Sequence, residues 1–285
     1  PGSICGSAKG SSGEYDVFAE GSANSTGLHG TGFLLRLCPY MEMTNLSNQW
    51  AFDRAVSCAT AGASGVPNLT LAQTDIKGLY CPTRRSALRQ GVDNVLMATT
   101  SWTGGGTDYG GCTGRNTAFV GTDYKQYPTG AIATSNWFQP NYPVSTGTVA
   151  NVANSAATMA GIFGEVNVGT SFGAVRDGTS NTIMIGELQR VTTVSPNSRD
   201  GWAIGGPASL FTTGAMYLNN AAVATGGKLM CNNFWGSPGS DHANGANYAL
   251  ADGSVTFLSD GIDPHVFALA GSMADNAPGR GITGN

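Results

Sequence analysis

A stretch near the C-terminal end, residues 240–263, leaves this chain few ways to fold locally. Two short extended segments, 246–251 and 254–259, are separated only by Asp252-Gly253. Asp-Gly between such segments is a hairpin signal, and a two-residue turn there demands positive φ. Gly253 meets that demand without a Cβ clash. In the second segment Val255 and Phe257 fall on one face and Ser254, Thr256 and Leu258 on the other. Nine residues separate His242 from Asp252, so a titratable ring and a carboxylate bracket the first strand.

The rest of the chain suits short strands joined by many turns. Glycine accounts for 42 of 285 residues, about twice ordinary usage. It has no three-residue period, which excludes collagen. Charged residues are 11%, against about 25% in an ordinary soluble domain, so Ser, Thr, Asn and Gly must carry solubility. The net charge of -4 argues against a nucleic-acid partner, which calls for a basic footprint. No run of 18 apolar residues is present, so a membrane-spanning helix is not expected. The length suffices for a sizeable core, and one elaborated domain over 1–285 is the expectation.

Six cysteines, Cys5, Cys38, Cys58, Cys81, Cys112 and Cys231, contain no Cys-x-x-Cys pair, so zinc-finger and ferredoxin spacings are absent. An even count in a lysine-poor, polar chain leads us to expect at least one disulfide, with buried thiols as the alternative. Asn24, Asn45 and Asn68 begin Asn-x-Ser/Thr sequences that an exported chain offers for glycosylation.

Along the chain, residues 1–30 read as irregular. Phe33, Leu34, Leu37, Tyr40 and Met41 recur at helical spacing, with Pro39 kinking or dividing the helix. A second helical piece over 43–52 presents Leu46 and Trp50. Arg84-Arg85 reads as a solvated turn. Glycines at 105, 106, 110 and 111 surround Thr107-Asp108-Tyr109 but lack the Lys-Ser/Thr of a phosphate loop, so a Gly-rich strand is expected. Residues 120–160 mix Tyr, Trp, Phe and Pro, reading as an insertion, with a glycan-binding surface as the alternative. Residues 182–187 read as a central strand after the turn Arg176-Asp177-Gly178-Thr179-Ser180-Asn181. Asp263-Pro264 opens a last short helix over 265–270. From 275 onward the Gly/Pro-rich tail is expected to fray.

Three chemistries compete for the polar residues Asp177, Asn181, Glu187, Asp241, His242, Asn244, Asp252, Asp260 and Asp263. The first is structural, with Asp side chains and His242 bonding backbone to fix loops. The second is a calcium-type site of oxygens from Asp241, Asn244, Asp252 and Asp177, without EF-hand spacing. The third is a hydrolase with His242 as base beside Asp252 or Glu187, with no Gly-x-Ser-x-Gly or His-Glu-x-x-His to support it. The structural reading is preferred.

Several pieces occur in a fixed order: residues 34–40 with Asn45-Leu46, Tyr80-Cys81-Pro82, Tyr109-Gly110-Gly111, residues 176–182 with Gly186-Glu187, then His242 and Asp252-Gly253. Over about 32–270 this set resembles the large planctomycete-type group of prepilin-like proteins of unknown function, marked by a C-terminal His-x9-Asp-Gly motif. The resemblance implies a pilin-like α+β fold, an N-terminal helical region packed on an antiparallel sheet with long decorating loops. It singles out His242, Asp252, Gly253, Asp177, Gly178, Asn181 and Glu187 as motif residues. It also implies an exported or cell-surface structural subunit of pilin or pseudopilin type that self-associates or meets related surface proteins. The long apolar helix such proteins carry is absent from this chain, so a membrane link is expected only through a helix preceding Pro1. A glycan- or ligand-binding surface module is the second reading, and the hydrolase is the third.

Overall fold

The computed structural model describes residues 1–6, 15–27, 29–90, 92–93, 102–115, 119–120, 125–126, 159–164, 166–192, 198–214, 228–275 and 282. The architecture is α+β, with short helices gathered in the first third and a sheet supplied mainly by the last two thirds. The described residues among the first 30 include regular structure that their composition does not suggest. Helix α1 (Val17–Ser22) is started by Asp16, whose Oδ1 accepts from Ala19 N at 2.7 Å. Both carboxylate oxygens of its buried Glu20 accept from Gly6 N.

Helix α2 (Phe33–Leu37) runs into a 3-10 turn (Cys38–Met41), so Pro39 divides the segment as its ring requires. Phe33, Leu34, Leu35 and Cys38 enter the core, but Tyr40 turns outward and is 85% exposed. The tighter winding after Cys38 rotates it off the apolar stripe. Helix α3 (Thr44–Gln49) buries Leu46, with Trp50 buried just beyond it, and α4 (Asn68–Ala72) buries Leu71. These side chains join Trp202, Ile204 and Leu210 in one apolar cluster. Burial of each large side chain contributes about 1.5–3 kcal/mol.

The strands are β1 (Tyr109–Cys112), β2 (Phe119–Val120), β3 (Lys125–Gln126), β4 (Ile183–Glu187), β5 (Leu210–Phe211), β6 (Gly245–Leu250) and β7 (Val255–Ser259). Five form one sheet in the order β5-β1-β4-β6-β7, while β2 and β3 form a separate pair. The expectation of an all-antiparallel sheet is corrected at one edge, where β5 runs parallel to β1. The 3-10 turn Gly206–Ala208 leads directly into β5. The strand expected at 182–187 is central, with β1 and β6 antiparallel on its two sides.

Two glycines explain how side chains settle directly on the sheet. A Cβ on Gly111 would lie 2.4 Å from the Phe163 ring, and one on Gly186 would lie 2.6 Å from Tyr248. On the covered face, Tyr248, Leu250 and Leu258 pack with Phe211 and with Phe267 of the last helix, α5 (Pro264–Gly271). Asp263 Oδ1 accepts from Val266 N at 3.1 Å, as an N-cap should. Ile282 is buried in the same cluster, so the tail returns to the core at that point.

The β6–β7 hairpin forms, with Ala249 opposite Val255 and Gly245 opposite Ser259. Its turn differs from the two-residue expectation. Gly253 N donates to Leu250 O at 3.0 Å and Leu250 N to Ser254 O at 2.8 Å, enclosing three residues, Ala251, Asp252 and Gly253. Gly253 takes φ +86°, the left-handed residue of a three-residue hairpin loop. The apolar faces are also opposite to intuition. Leu258 is buried, whereas Val255 is 70% exposed and Phe257 is largely exposed.

No two cysteines are joined: all six are thiols. The expected disulfide does not form: several of the sulfurs lie in separate parts of the structure, and Cys231, which borders the same cluster as Cys112, is not bonded to it. Cys38 belongs to the helical cluster, Cys112 to the sheet cluster, and Cys5 to a small cluster with Val17 and Val166. Burial pushes the Cys38 thiol up to about 11 and Cys112 up to about 12, which suppresses thiolate chemistry at both. Among the three Asn-x-Ser/Thr sites, Asn68 is fully buried and bonds the backbone of Ala51, Arg54 and Ala55. Asn24 and Asn45 are exposed. The aromatic segment 120–160 lies almost wholly outside the described residues. Among those residues, no helix is long and apolar enough to cross a membrane.

Candidate functional site

The pairing of β4 with β6 stops at Gly186 opposite Tyr248. One residue on, Glu187 O accepts from Gly239 N rather than from β6. The freed backbone N of Asn247 is satisfied by the Glu187 carboxylate, donating to Oε2 at 2.6 Å, while Asn247 Nδ2 reaches the same oxygen at 3.1 Å. The remaining oxygen, Oε1, faces His242 Nε2 at 3.0 Å. A third group closes the cluster, since Cys81 Sγ lies 3.7 Å from that same Nε2. Thr83 Oγ1 is 3.0 Å from the sulfur. Ligand atoms of Cys81, Glu187 and His242 all lie within 4.8 Å of one another, and no other trio of His, Cys, Asp or Glu does so among the described residues. Cys81 and Glu187 are buried, while the His242 side chain is 27% exposed, so the cluster sits at the edge of solvent.

Local structure holds each member in place. His242 N donates to Ser240 Oγ at 3.0 Å, and Ser240 Oγ donates to Gly245 O at 2.6 Å, tying the His242 loop to the start of β6. Cys81 N donates to Asp108 Oδ2 at 3.0 Å, and Leu188 N to Asp108 O at 2.8 Å. Tyr109 is paired with Glu187 across β1 and β4. Its phenol is pushed up to about 12 by burial, then by the negative charges of Cys81, Glu187 and Asp108.

Behind the cluster lies a buried ionic network. Asp108 accepts from Arg85 Nη2 at 2.8 Å and from Arg84 Nη1 at 3.2 Å. Arg85 also meets Asp93 and Asp200, each at 2.7 Å, and Arg190 Nη2 lies 3.3 Å from Asp200. The Arg84 and Arg85 side chains are 3% and 1% exposed, which overturns the expectation of a solvated turn. The two guanidinium groups are drawn inward because Asp108, Asp93 and Asp200 are there to pair with them. Arg84 Nε further reaches Asp241 at 3.1 Å, linking this network to the His242 loop.

The structure therefore divides the residues singled out in sequence. Glu187 and His242 meet, and Asp241 lies beside them on Arg84. Asp252 does not reach His242. It sits past the far end of β6, where Oδ1 accepts from Ser254 N and Oγ and braces the hairpin turn. Asp177 and Asn181 belong to that far end too: Asp252 N donates to Thr179 O, Asn181 Nδ2 to Asp177 O, and Asp275 N to Asp177 Oδ2. Gly178 takes φ +96° within that turn. Strand β6 separates Asp241 and Asn244 from Asp177 and Asp252 by roughly 17 Å of chain, so the four residues read as calcium ligands fall into two groups at its opposite ends. Asn244 takes φ +62°, and Asp260 pairs with Lys228.

Cys81, Asp108, Asn247 and the paired arginines were missed as site residues. The signal was present for Cys81, which sits in Tyr80-Cys81-Pro82, but a lone cysteine names no partner. Asp108 lay hidden in a run that read as a glycine-rich strand.

Chemically, the arrangement brings a thiol and a carboxylate to one imidazole nitrogen. A nucleophile–histidine–carboxylate relay needs the two ring nitrogens to face different partners. Here both Cys81 and Glu187 address Nε2. No curated protein and no solved structure matches the chain. A family model described as protein of unknown function (DUF1559) matches residues 7–265. The ordered pieces that converge here, Tyr80-Cys81, Tyr109, Glu187 and His242, all fall within that match, and the chain belongs to this family of proteins of unknown function.

Proposed function

We propose that this chain is a non-enzymatic structural subunit of an extracellular or cell-surface assembly, of pilin or pseudopilin type. The observation that carries the reading is how the converging motif residues use their polar groups. Glu187 spends one oxygen on His242 and the other on Asn247, and His242 turns a single nitrogen to two partners. Four separate segments, around Cys81, Glu187, His242 and Asn247, are thereby locked to one another. Rigid loop bracing is what an assembling subunit requires, and the single shared nitrogen disfavours the hydrolase alternative.

A surface suited to assembly is present. Strand β7 ends the sheet order, and residues 254–259 contain neither charge nor proline, the usual devices against edge pairing. Val255 and Phe257 stand exposed along it. With few charges available, such contacts would rely on apolar patches and backbone pairing.

Light scattering across a concentration series, with electron microscopy of surface material, tests the proposal. Concentration-dependent multimers or ordered particles are expected. A chain that stays monomeric at millimolar concentration and is missing from surface arrays would sink it.

A further inference from the structure

We propose that Cys81, Glu187 and His242 form a binding site for a zinc-class divalent cation. The argument is geometric. A tetrahedral ion with bonds of about 2.3 Å to sulfur and about 2.0–2.2 Å to nitrogen and oxygen holds its ligand atoms roughly 3.3–3.6 Å apart. The observed separations are 3.7 Å for sulfur to nitrogen and 3.0 Å for nitrogen to oxygen. All three ligand atoms lie within 4.8 Å of one another, so side-chain adjustment suffices to bring them onto one centre. The convergence of a thiol and a carboxylate on the same imidazole nitrogen is what metal ligation needs, and it is what a proton relay cannot use.

The donor set selects the ion. Sulfur with imidazole favours zinc and its neighbours over calcium or magnesium, which take oxygen. Each ligand is also held from behind, as metal ligands are. Asn247 grips the other oxygen of Glu187, Asp108 holds the Cys81 backbone, and Ser240 holds that of His242. Thiolate and carboxylate together balance a divalent charge, and the thiol proton leaves to solvent on binding. The neighbouring Arg84 cation is already paired by Asp108 and Asp241. His242 lies at the solvent edge, which leaves a path for the ion and a position for water as the fourth ligand.

The inference goes beyond the scaffold reading, since a chain can assemble without metal, and the tests read different things. Reduced, metal-free full chain is titrated with cobalt(II), followed by absorption and by thermal midpoint, with zinc and calcium as competitors. One ion per chain is expected, with thiolate-to-cobalt charge transfer, a rising midpoint, displacement by zinc and none by calcium. Loss of an outer partner of a metal ligand typically weakens binding about 10–100-fold, so Cys81→Ser should remove the charge-transfer band and His242→Ala should weaken binding by at least that much. Cys38→Ser, remote from the cluster, should leave the titration unchanged. Where Cys81→Ser does not fold, the His242→Ala titration decides. Failure of the folded wild-type chain to bind cobalt or zinc, binding of calcium alone, or a spectrum indifferent to both substitutions overturns the proposal.

Discussion

Asp108→Asn is the most informative single change for the buried ionic network. The Asp108 carboxylate is fully buried and is hydrogen-bonded by two guanidinium groups, bidentately by Arg85 and singly by Arg84, with Arg190 Nε 4.0 Å away. The amide keeps the shape but removes the negative charge and places an NH2 group where the arginines already donate. Removing one partner of a buried pair costs about 3–5 kcal/mol, chiefly through the charge left behind. Arg85 retains Asp93 and Asp200, while Arg84 keeps as its one carboxylate the half-exposed Asp241, beside the carbonyls of Leu188 and Gly239. The cost therefore falls mainly on Arg84. With a urea slope of about 3 kcal/mol/M, the unfolding midpoint should drop by about 1–1.7 M at unchanged slope. Asp241→Asn breaks the same arginine's outer contact, and a half-exposed pair is worth at most about 1 kcal/mol, so its midpoint should shift by a few tenths molar. Equal shifts for the two variants, or a loss under about 1 kcal/mol for Asp108→Asn, would refute the claim that burial sets the strength of this network.

Further outcomes follow from the same geometry. Burial opposes the charge on Asp93, but hydrogen bonds from Arg89 and then Arg85 outweigh it and hold its carboxyl below the ordinary value. The stability it contributes is complete above about pH 5, begins to be lost near the unfolded carboxylate value of about 4, and goes as pH falls through the lower folded value; urea midpoints at pH 7, 4 and 3 should decline in that order for wild type and less steeply for Asp93→Asn. Gly253→Ala should cost about 1–2 kcal/mol from left-handed backbone alone, since a Cβ there meets nothing within 4 Å, whereas Gly105→Ala should cost more because its Cβ would fall 1.9 Å from Ala72 O; equal midpoints would contradict this. Thiol titration of denatured, never-reduced chain should count six thiols, and a count of four or fewer would reveal disulfides. Val255→Lys should leave thermal stability within about 0.5 kcal/mol, as an exposed substitution does, while reducing self-association measured by light scattering.

Local structure was legible wherever neighbours in sequence decide it. The β6–β7 hairpin, the central strand through Ile183 and Ile185, the division of the first helix at Pro39 and the Asp263-Pro264 helix start all follow from side-chain alternation, turn chemistry and capping. The turn itself was misjudged by one residue, because Asp-Gly fits both a two-residue loop and a three-residue loop ending on Gly253. Tyr40 was misplaced because periodicity assumes a helix that continues, whereas Pro39 changes its winding.

The site was only half legible. Glu187 and His242 stand out as motif residues, and the sequence offers His242 two carboxylates, Asp252, ten positions along, and Glu187; only the fold selects Glu187. A strand carries its two ends apart, so residues bracketing β6 point to different neighbourhoods. Cys81 and Asp108 come to Glu187 because β1 pairs beside β4, a fact with no local trace in either segment.

What the sequence determined by itself was the inventory: strands that pair through tight turns, helices that stop at Pro and Gly, and too few charges for a surface governed by ion pairs. What only the tertiary structure decided was which polar groups are buried and what they face. Arg84 and Arg85 look like surface charges until Asp108 and Asp200, from other segments, and Asp93, eight residues on, neutralise them. Desolvation and pairing depend on distance through space, and strand order, not proximity along the chain, sets that distance.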